Sequence, residues 1–207
     1  MGLQLDATGV ILAGGKSRRM GEDKRFLKVG EATLLERSIH VMSQIFSEVL
    51  VVIAQDSPAL DVPGCQVHRD LIPDCGSLGG LYTGLGQASG DRIFVVACDM
   101  PFLNPDMIRW FLSRDPDADI VMGQLETGLQ PLHAVYGKRA LPYLRQRAEE
   151  RQLKIQMVVS EPSLRVTIVH QSEWRMMDPL SRSFQNVNSP ADLQAARAVA
   201  SGIPLSS

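Results

Sequence analysis

The chain has 207 residues, enough to bury the core of one domain or of one domain with a modest elaboration. Hydrophobic residues make up 44% and charged residues 21%, ordinary proportions that exclude a disordered chain and a membrane-embedded one. The net charge of -2 argues against a general nucleic-acid binder, and no apolar run approaches the roughly 18 residues needed to span a bilayer.

Met1 to Asp6 lacks the basic and apolar regions of a signal peptide, so a cytoplasmic chain is expected. Gly9 to Ala13 is a short apolar run bounded by glycine, the pattern of a strand buried on both faces. The stretch that follows, to Lys24, organises the rest. Gly14 and Gly15 have no Cβ to block a ligand's approach to their backbone N–H groups. Between Lys16 and Arg25, five basic residues (Lys16, Arg18, Arg19, Lys24, Arg25) outnumber two acidic ones, a local charge of +3 suited to a triphosphate. Two commoner phosphate motifs are excluded. Gly15, Lys16 and Ser17 match the end of a P-loop, but Val10 stands where its first glycine belongs. The adjacent Gly14 and Gly15 break the Gly-x-Gly-x-x-Gly spacing of a dinucleotide site. A solvated charged loop would have the same composition. Its place at the C-terminal end of a strand, where open α/β sheets bind ligands, favours the anion site.

Leu34 to Ile45 has apolar residues at helical spacing, and Val49 to Ala54 is again a continuous aliphatic run, so the first hundred residues open with a parallel right-handed βαβ unit. A weaker strand, Cys65 to His68, delivers Asp70 at its end. In the stretch from Asp74 to Gly86, Gly76, Gly80 and Gly84 recur every four residues and share one face if the stretch is helical. Gly84 and Gly86 read as a close helix–sheet contact; Gly76, Gly79 and Gly80, where the helix would begin, read as ligand-facing. Ile93 to Cys98 is the most convincing central strand, and Asp99 follows it at once. A carboxylate at the end of a buried strand costs desolvation unless a cation or hydrogen bonds compensate. On the same sheet edge as the Gly14 loop, Asp99 would hold Mg²⁺ against phosphate oxygens. The competing role of helix cap already falls to Asn104, ahead of Pro105.

Asn104 to Leu112 reads as a helix, Ile120 to Met122 as a short strand, Gln130 to Tyr136 as a strand begun by a proline-tolerant end, Lys138 to Arg151 as a basic helix, and Leu153 to Val159 as another short one. His133 reads as packed rather than ligating, and the four histidines show no metal spacing. Cys65, Cys75 and Cys98 are odd in number with no Cys-x-x-Cys pair, so reduced thiols are expected. Phe184 to Leu193 is expected to run from a strand into a last helix, Ala191 to Ala200, with Ser189 as N-cap and Pro190 first in the helix. Asn186 and Asn188, two apart in an extended segment, would point amides into one cleft.

Leu12 to Lys24, Gly76 to Gly80, Ala97 to Phe102, Gln130 to Tyr136 and Asn186 to Pro190, in this order, resemble the molybdenum cofactor guanylyltransferase family of nucleotidyltransferases. The resemblance implies an α/β, Rossmann-like fold in a single domain spanning 1–207: a mostly parallel central sheet with helices on both faces. Residues 1–100 would form a nucleotide-binding half, 101–200 a pterin-side half, and 202–207 a loose tail. It implies transfer of GMP from GTP to molybdenum-molybdopterin with Mg²⁺ as cofactor. Leu12, Ala13 and Gly14 would contact the nucleotide by backbone, Lys24 the phosphates, Asp70 the nucleoside, and Asp99 the metal and triphosphate. Arg19, Lys24 and Asp99 would be catalytic, and Asn186 and Asn188 would belong to the pterin side. Implied partners are GTP, the pterin and, downstream, cofactor-insertion chaperones or molybdoenzymes, with no nucleic acid or membrane. One departure is visible: some family members place an asparagine at the end of the second strand, where this chain has Ile53 and Ala54. Two alternatives stay open, a cytidylyl relative using CTP, whose first loop tends to read Leu-Ala-Ala-Gly, and a non-catalytic carrier that would not need Asp99.

Overall fold

The computed structural model describes residues 7–14 and 23–202. The readings of Met1 to Asp6, of Gly15 to Glu22 including Arg19, and of the tail beyond Gly202 lie outside the described residues. The elements are β1 (Ala7–Leu12), a 3-10 turn (Lys24–Phe26), a hairpin of β2 (Lys28–Val29) and β3 (Ala32–Thr33), α1 (Leu34–Ser43), β4 (Val49–Ile53), β5 (Gln66–Arg69), α2 (Gly76–Gln87), β6 (Arg92–Ala97), α3 (Pro105–Arg114), β7 (Ile120–Leu125), β8 (Gly128–Gly137), α4 (Leu141–Glu149), β9 (Val166–His170), α5 (Gln171–Trp174) and α6 (Pro190–Ala200).

Seven strands form one sheet in the order β5-β4-β1-β6-β8-β7-β9. The first four are parallel, β8 is antiparallel to both β6 and β7, and β9 is parallel to β7. Alternate residues of the central strands feed two cores. Ile11, Val51 and Val96 pack with Met42 of α1 and Phe111 of α3 on one face. Val10, Val52 and Val95 pack with Leu81 of α2 and Leu144 of α4 on the other. Both faces are covered, which is why β1, β4 and β6 are apolar at nearly every position. The expected α/β architecture is therefore present. Among the described residues no helix is long and apolar enough to cross a membrane.

Several boundaries differ from expectation, each for a local reason. β8 begins at Gly128, not Gln130, and Pro131 sits at a bulge. There β7 pairing jumps from Met122–Ala134 to Gly123–Gln130, while β6 pairs only from His133 onward. The missing N–H of Pro131 therefore interrupts neither ladder. The basic helix from Lys138 begins as a 3-10 turn and is α-helical only over Leu141–Glu149, and the segment after it is a 3-10 run, Ile155–Ser160. The strand expected to lead from Phe184 into α6 does not form. The Asp178 carboxylate accepts the N–H groups of Arg182 and Ser183 at 2.9 and 2.8 Å, bending the chain into a 3-10 turn over Arg182–Phe184. The cap of α6 is as expected: Ser189 Oγ accepts from the Asp192 N–H, and the Asp192 side chain accepts in return. β9 was not anticipated. It is an edge strand whose residues are mostly half-buried, so its hydrophobic signal is weak.

The glycines of α2 set how closely that helix lies on the sheet. A Cβ on Gly84 would stand 2.5 Å from Val10 Cγ1, whereas one on Gly86 would meet only Leu141 Cδ2, at 3.8 Å. Gly84→Ala is therefore expected to destabilise the fold by about 1–3 kcal/mol through overpacking. Gly86→Ala should stabilise it by about 0.5–1 kcal/mol, the helix preference of alanine over glycine. Urea unfolding of both variants checks this, and equal shifts would mean that α2 does not rest on Val10 as described.

Candidate active site

The register of the sheet aligns the strand ends that matter. Leu12 pairs with Val52 on one side and Ala97 on the other, so the chain leaving β1, β4 and β6 emerges at one edge. Ala13 N–H donates to Val52 O at 2.7 Å and Cys98 N–H to Leu12 O at 3.0 Å, carrying the alignment one residue past the strands. Asp70 N–H donates to Ile53 O at 2.9 Å, which sets Asp70 level with them. Above this edge lies a cavity of about 350 Å³. Leu12, Ala13, Gly14, Lys24, Asp70, Asp99, Asn186 and Asn188 all line it, so the residues expected at the nucleotide, metal and pterin within the described chain come to one place.

Gly14 has a packing reason as well as the ligand-access reason read from the sequence. A Cβ there would lie 2.7 Å from the backbone nitrogen of Ala54, so the turn off β1 crosses the end of β4 only without a side chain. Gly76 enters α2 with φ +54°, after Asp74 at φ 58°, and the helix starts without a side-chain cap. Its first turn, at Gly76 and Ser77, faces the cavity. Gly80 also lines it, but Gly79 does not: a Cβ on Gly79 would meet Ile72 O at 2.8 Å. Gly79 is thus a packing glycine, contrary to the ligand-facing reading.

Lys24 is aimed by its neighbours. Asp23 caps the 3-10 turn by accepting from Arg25 N–H at 3.1 Å, and Arg25 Nε donates to both Asp23 oxygens at 2.9 Å. Burial pushes the Asp23 carboxyl up, but its bonds from Arg25 outweigh this and hold it below its ordinary range. With both neighbours locked together, Lys24 Nζ reaches across to Asp99 Oδ2 at 3.2 Å and Asn188 Oδ1 at 2.8 Å. Asp99 also anchors the C-terminal segment, since Val187 N–H donates to its backbone oxygen at 2.8 Å. Burial pushes the Asp99 carboxyl up, and the Lys24 ammonium partly offsets that.

Asp70 has no such relief. It is 8% exposed, and among the described residues no hydrogen bond reaches its carboxylate. Burial pushes its pKa up to about 6. An acceptor without a partner suits a ligand hydroxyl or amide.

Gln130, Pro131 and Leu132 also line the cavity, although the sequence reading gives them no site role. The bulge that leaves Pro131 and Leu132 out of both ladders could have been suspected from a proline inside a strand pattern. His133, next in sequence, points the other way and is fully buried. Its ring packs against Phe94, Phe111 and Phe184 with centroids 5.0, 5.4 and 4.5 Å away, and burial pulls its pKa down to about 4. It is a packed, neutral histidine, as expected. Among the described residues no three His, Cys, Asp or Glu side chains cluster as a metal cage. A single carboxylate such as Asp99 suits a hard cation that takes its other oxygens from phosphates and water.

Comparison with known proteins gives the family and the fold. Residues 9–165 match the model of the MobA-like NTP transferase domain. A Pelotomaculum thermopropionicum protein named "Probable molybdenum cofactor guanylyltransferase" is 36% identical over 196 residues, covering 95% of this chain and 94% of that one. A Chloroflexus aggregans protein of the same name is 37% identical over 212 residues, covering 96% and 97%. The solved structure of molybdopterin-guanine dinucleotide biosynthesis protein A from Archaeoglobus fulgidus superposes with a TM-score of 0.80 at 23% identity, covering 95% of this chain and all of that one. At that identity it shows a shared fold.

The unpaired carboxylate of Asp70 makes stability depend on pH. Its folded pKa of about 6 lies above the ordinary 3.8, so the folded state holds the proton more tightly. Its contribution is present below pH 4 and is lost as pH climbs to about 6, by roughly 3 kcal/mol. Asp70→Asn should therefore unfold at higher urea than the parent at pH 7, with the difference gone below pH 4. A gain of the same size at both pH values would remove the charge as its cause.

Proposed function

Because the chain belongs to the MobA-like NTP transferase domain family, we propose that it transfers GMP from GTP to molybdenum-loaded molybdopterin, yielding the guanine dinucleotide form of the cofactor and pyrophosphate. The observation that carries this reading is the meeting of Lys24 and Asp99, 3.2 Å apart, in one cavity with the backbone of Leu12, Ala13 and Gly14.

A phosphate oxygen of the pterin attacks the α-phosphorus of GTP. The new O–P bond forms as the bond to the β-phosphate oxygen breaks, and pyrophosphate leaves with that electron pair. An ionised phosphate needs no general base, so the protein's work is positioning and charge neutralisation. In this reading Leu12, Ala13 and Gly14 border the nucleotide with backbone groups, and Asp70 accepts a hydroxyl of the nucleoside. Lys24 takes the phosphates, as does Arg19, which lies outside the described residues. Asp99 would hold Mg²⁺, which when bound neutralises phosphate charge and polarises the phosphorus. Residues 1–100 then serve the nucleotide and 101–200 the pterin, with Asn186 and Asn188 bordering the acceptor. The chain works in the cytoplasm in this proposal, with Cys65, Cys75 and Cys98 as free thiols.

Incubation with each nucleoside triphosphate and molybdenum-loaded molybdopterin should release pyrophosphate with GTP. Release with CTP alone would select cytidylyl transfer, and none with any nucleotide would favour a carrier. Asp99→Asn is expected to abolish release while the circular dichroism spectrum is kept. Full activity of that variant in Mg²⁺ buffer would end the metal assignment. Lys24→Ala should weaken binding of GTP more than of guanosine, measured by calorimetry, and equal losses would move Lys24 off the phosphates.

A further inference from the structure

The hydrogen bond between Lys24 and Asn188 joins residues 164 apart in sequence. It links the turn after β1 to the segment before α6, which the site reading otherwise gives to opposite substrates. An ammonium has three N–H donors. In the structure Lys24 directs one at the Asp99 carboxylate and one at the Asn188 amide oxygen, which among the described residues leaves one without a partner. The two partners differ in kind. Asp99 cancels the charge of Lys24, whereas a neutral amide oxygen orients the ammonium and leaves its charge available to an anion.

Asn188 is itself held from two sides. Its N–H donates to Asp192 Oδ2 at 2.9 Å, and the same oxygen accepts from Ser189 N–H at 2.8 Å in the α6 capping box. One residue earlier, Val187 N–H is bonded to Asp99 O, and the Val187 side chain is buried with Leu27, Leu193 and Ala196. The backbone at Asn188 is therefore tied to the edge of the sheet from which Asp99 projects, and its side-chain amide oxygen meets Lys24 from there.

We propose that Asn188 is a positioning residue for Lys24: its amide oxygen keeps the ammonium over the phosphate end of the cavity when Asp99 turns to a divalent cation. This rests on the reading of Lys24 as a phosphate contact and extends it, because Asn188 then acts on nucleotide binding whether or not it also touches the pterin. The C-terminal segment thereby belongs to the nucleotide site as well as to the acceptor side.

A double-mutant cycle on the full chain tests this. Calorimetry would follow GTP with Mg²⁺, and guanosine, for the parent, Asn188→Ala, Lys24→Ala and the double variant. Asn188→Ala is expected to weaken GTP three- to tenfold with guanosine unchanged, and to have no further effect once Lys24 is alanine. A general structural role would instead lower GTP and guanosine affinity together, with the same factor in both backgrounds. That outcome overturns the proposal, as does a raised KM for the pterin with unchanged GTP affinity. If Lys24→Ala leaves GTP affinity at the parent value, the phosphate role of Lys24 fails and the proposal falls with it. If Lys24→Ala weakens GTP but the cycle shows no coupling, only the role of Asn188 is lost.

Discussion

The register of β1 between β4 and β6 is the constraint on which the site depends. With Leu12 level with Val52 and Ala97, the turn at Gly14, the approach to Asp70 and the carboxylate of Asp99 share one edge. A slip of one residue in either pairing would turn every side chain of β1 to the opposite face. Val10 would then leave Gly84, and Ile11 would leave the α1 and α3 core. Two-sided burial therefore holds the register firmly, and the site inherits its rigidity from packing that has no chemistry in it.

On this frame the polar contacts act as fasteners between distant parts of the chain. The pair of exposed Asp23 and buried Arg25 shapes the turn that presents Lys24, and Lys24 spans to Asp99 and Asn188. The Val187 N–H to Asp99 carbonyl bond then closes the last segment over the end of β6. Each bond on an exposed edge is worth little alone. Together they bring a first-strand turn, a central-strand end and a C-terminal segment into a single cavity.

What the sequence made legible follows from the same division. β1, β4 and β6 were readable because strands buried on both faces have to be apolar throughout, and Asp99 was conspicuous as a charge directly after such a run. The caps at Asn104 and Ser189 were readable because capping is local chemistry: Asn104 Oδ1 accepts from Asp106 N–H at 2.9 Å. The edge strand β9 was missed because one-sided burial gives a weak pattern. The wall at Gln130 to Leu132 was missed because a bulge is a relation between two strands, which no single stretch displays. The contact of Lys24 with Asn188 depends on tertiary closure over the whole chain, so periodicity and spacing could not reveal it.

The charge balance of the cavity shows how such a site can receive anions. Its described lining carries two cations, Lys24 and Arg25, and three carboxylates, Asp23, Asp70 and Asp99. Arg25 is committed to Asp23 and Lys24 is shared with Asp99, so before a ligand arrives the lining is negative by the charge of Asp70. In the proposed function a divalent cation at Asp99 would neutralise that carboxylate and return the charge of Lys24 to the cavity. Lys16, Arg18 and Arg19, which the sequence places just ahead of Lys24, add positive charge at the same point in the chain. In the same proposal Asp70, without a hydrogen bond to its carboxylate among the described residues, is the acceptor that the nucleoside would satisfy.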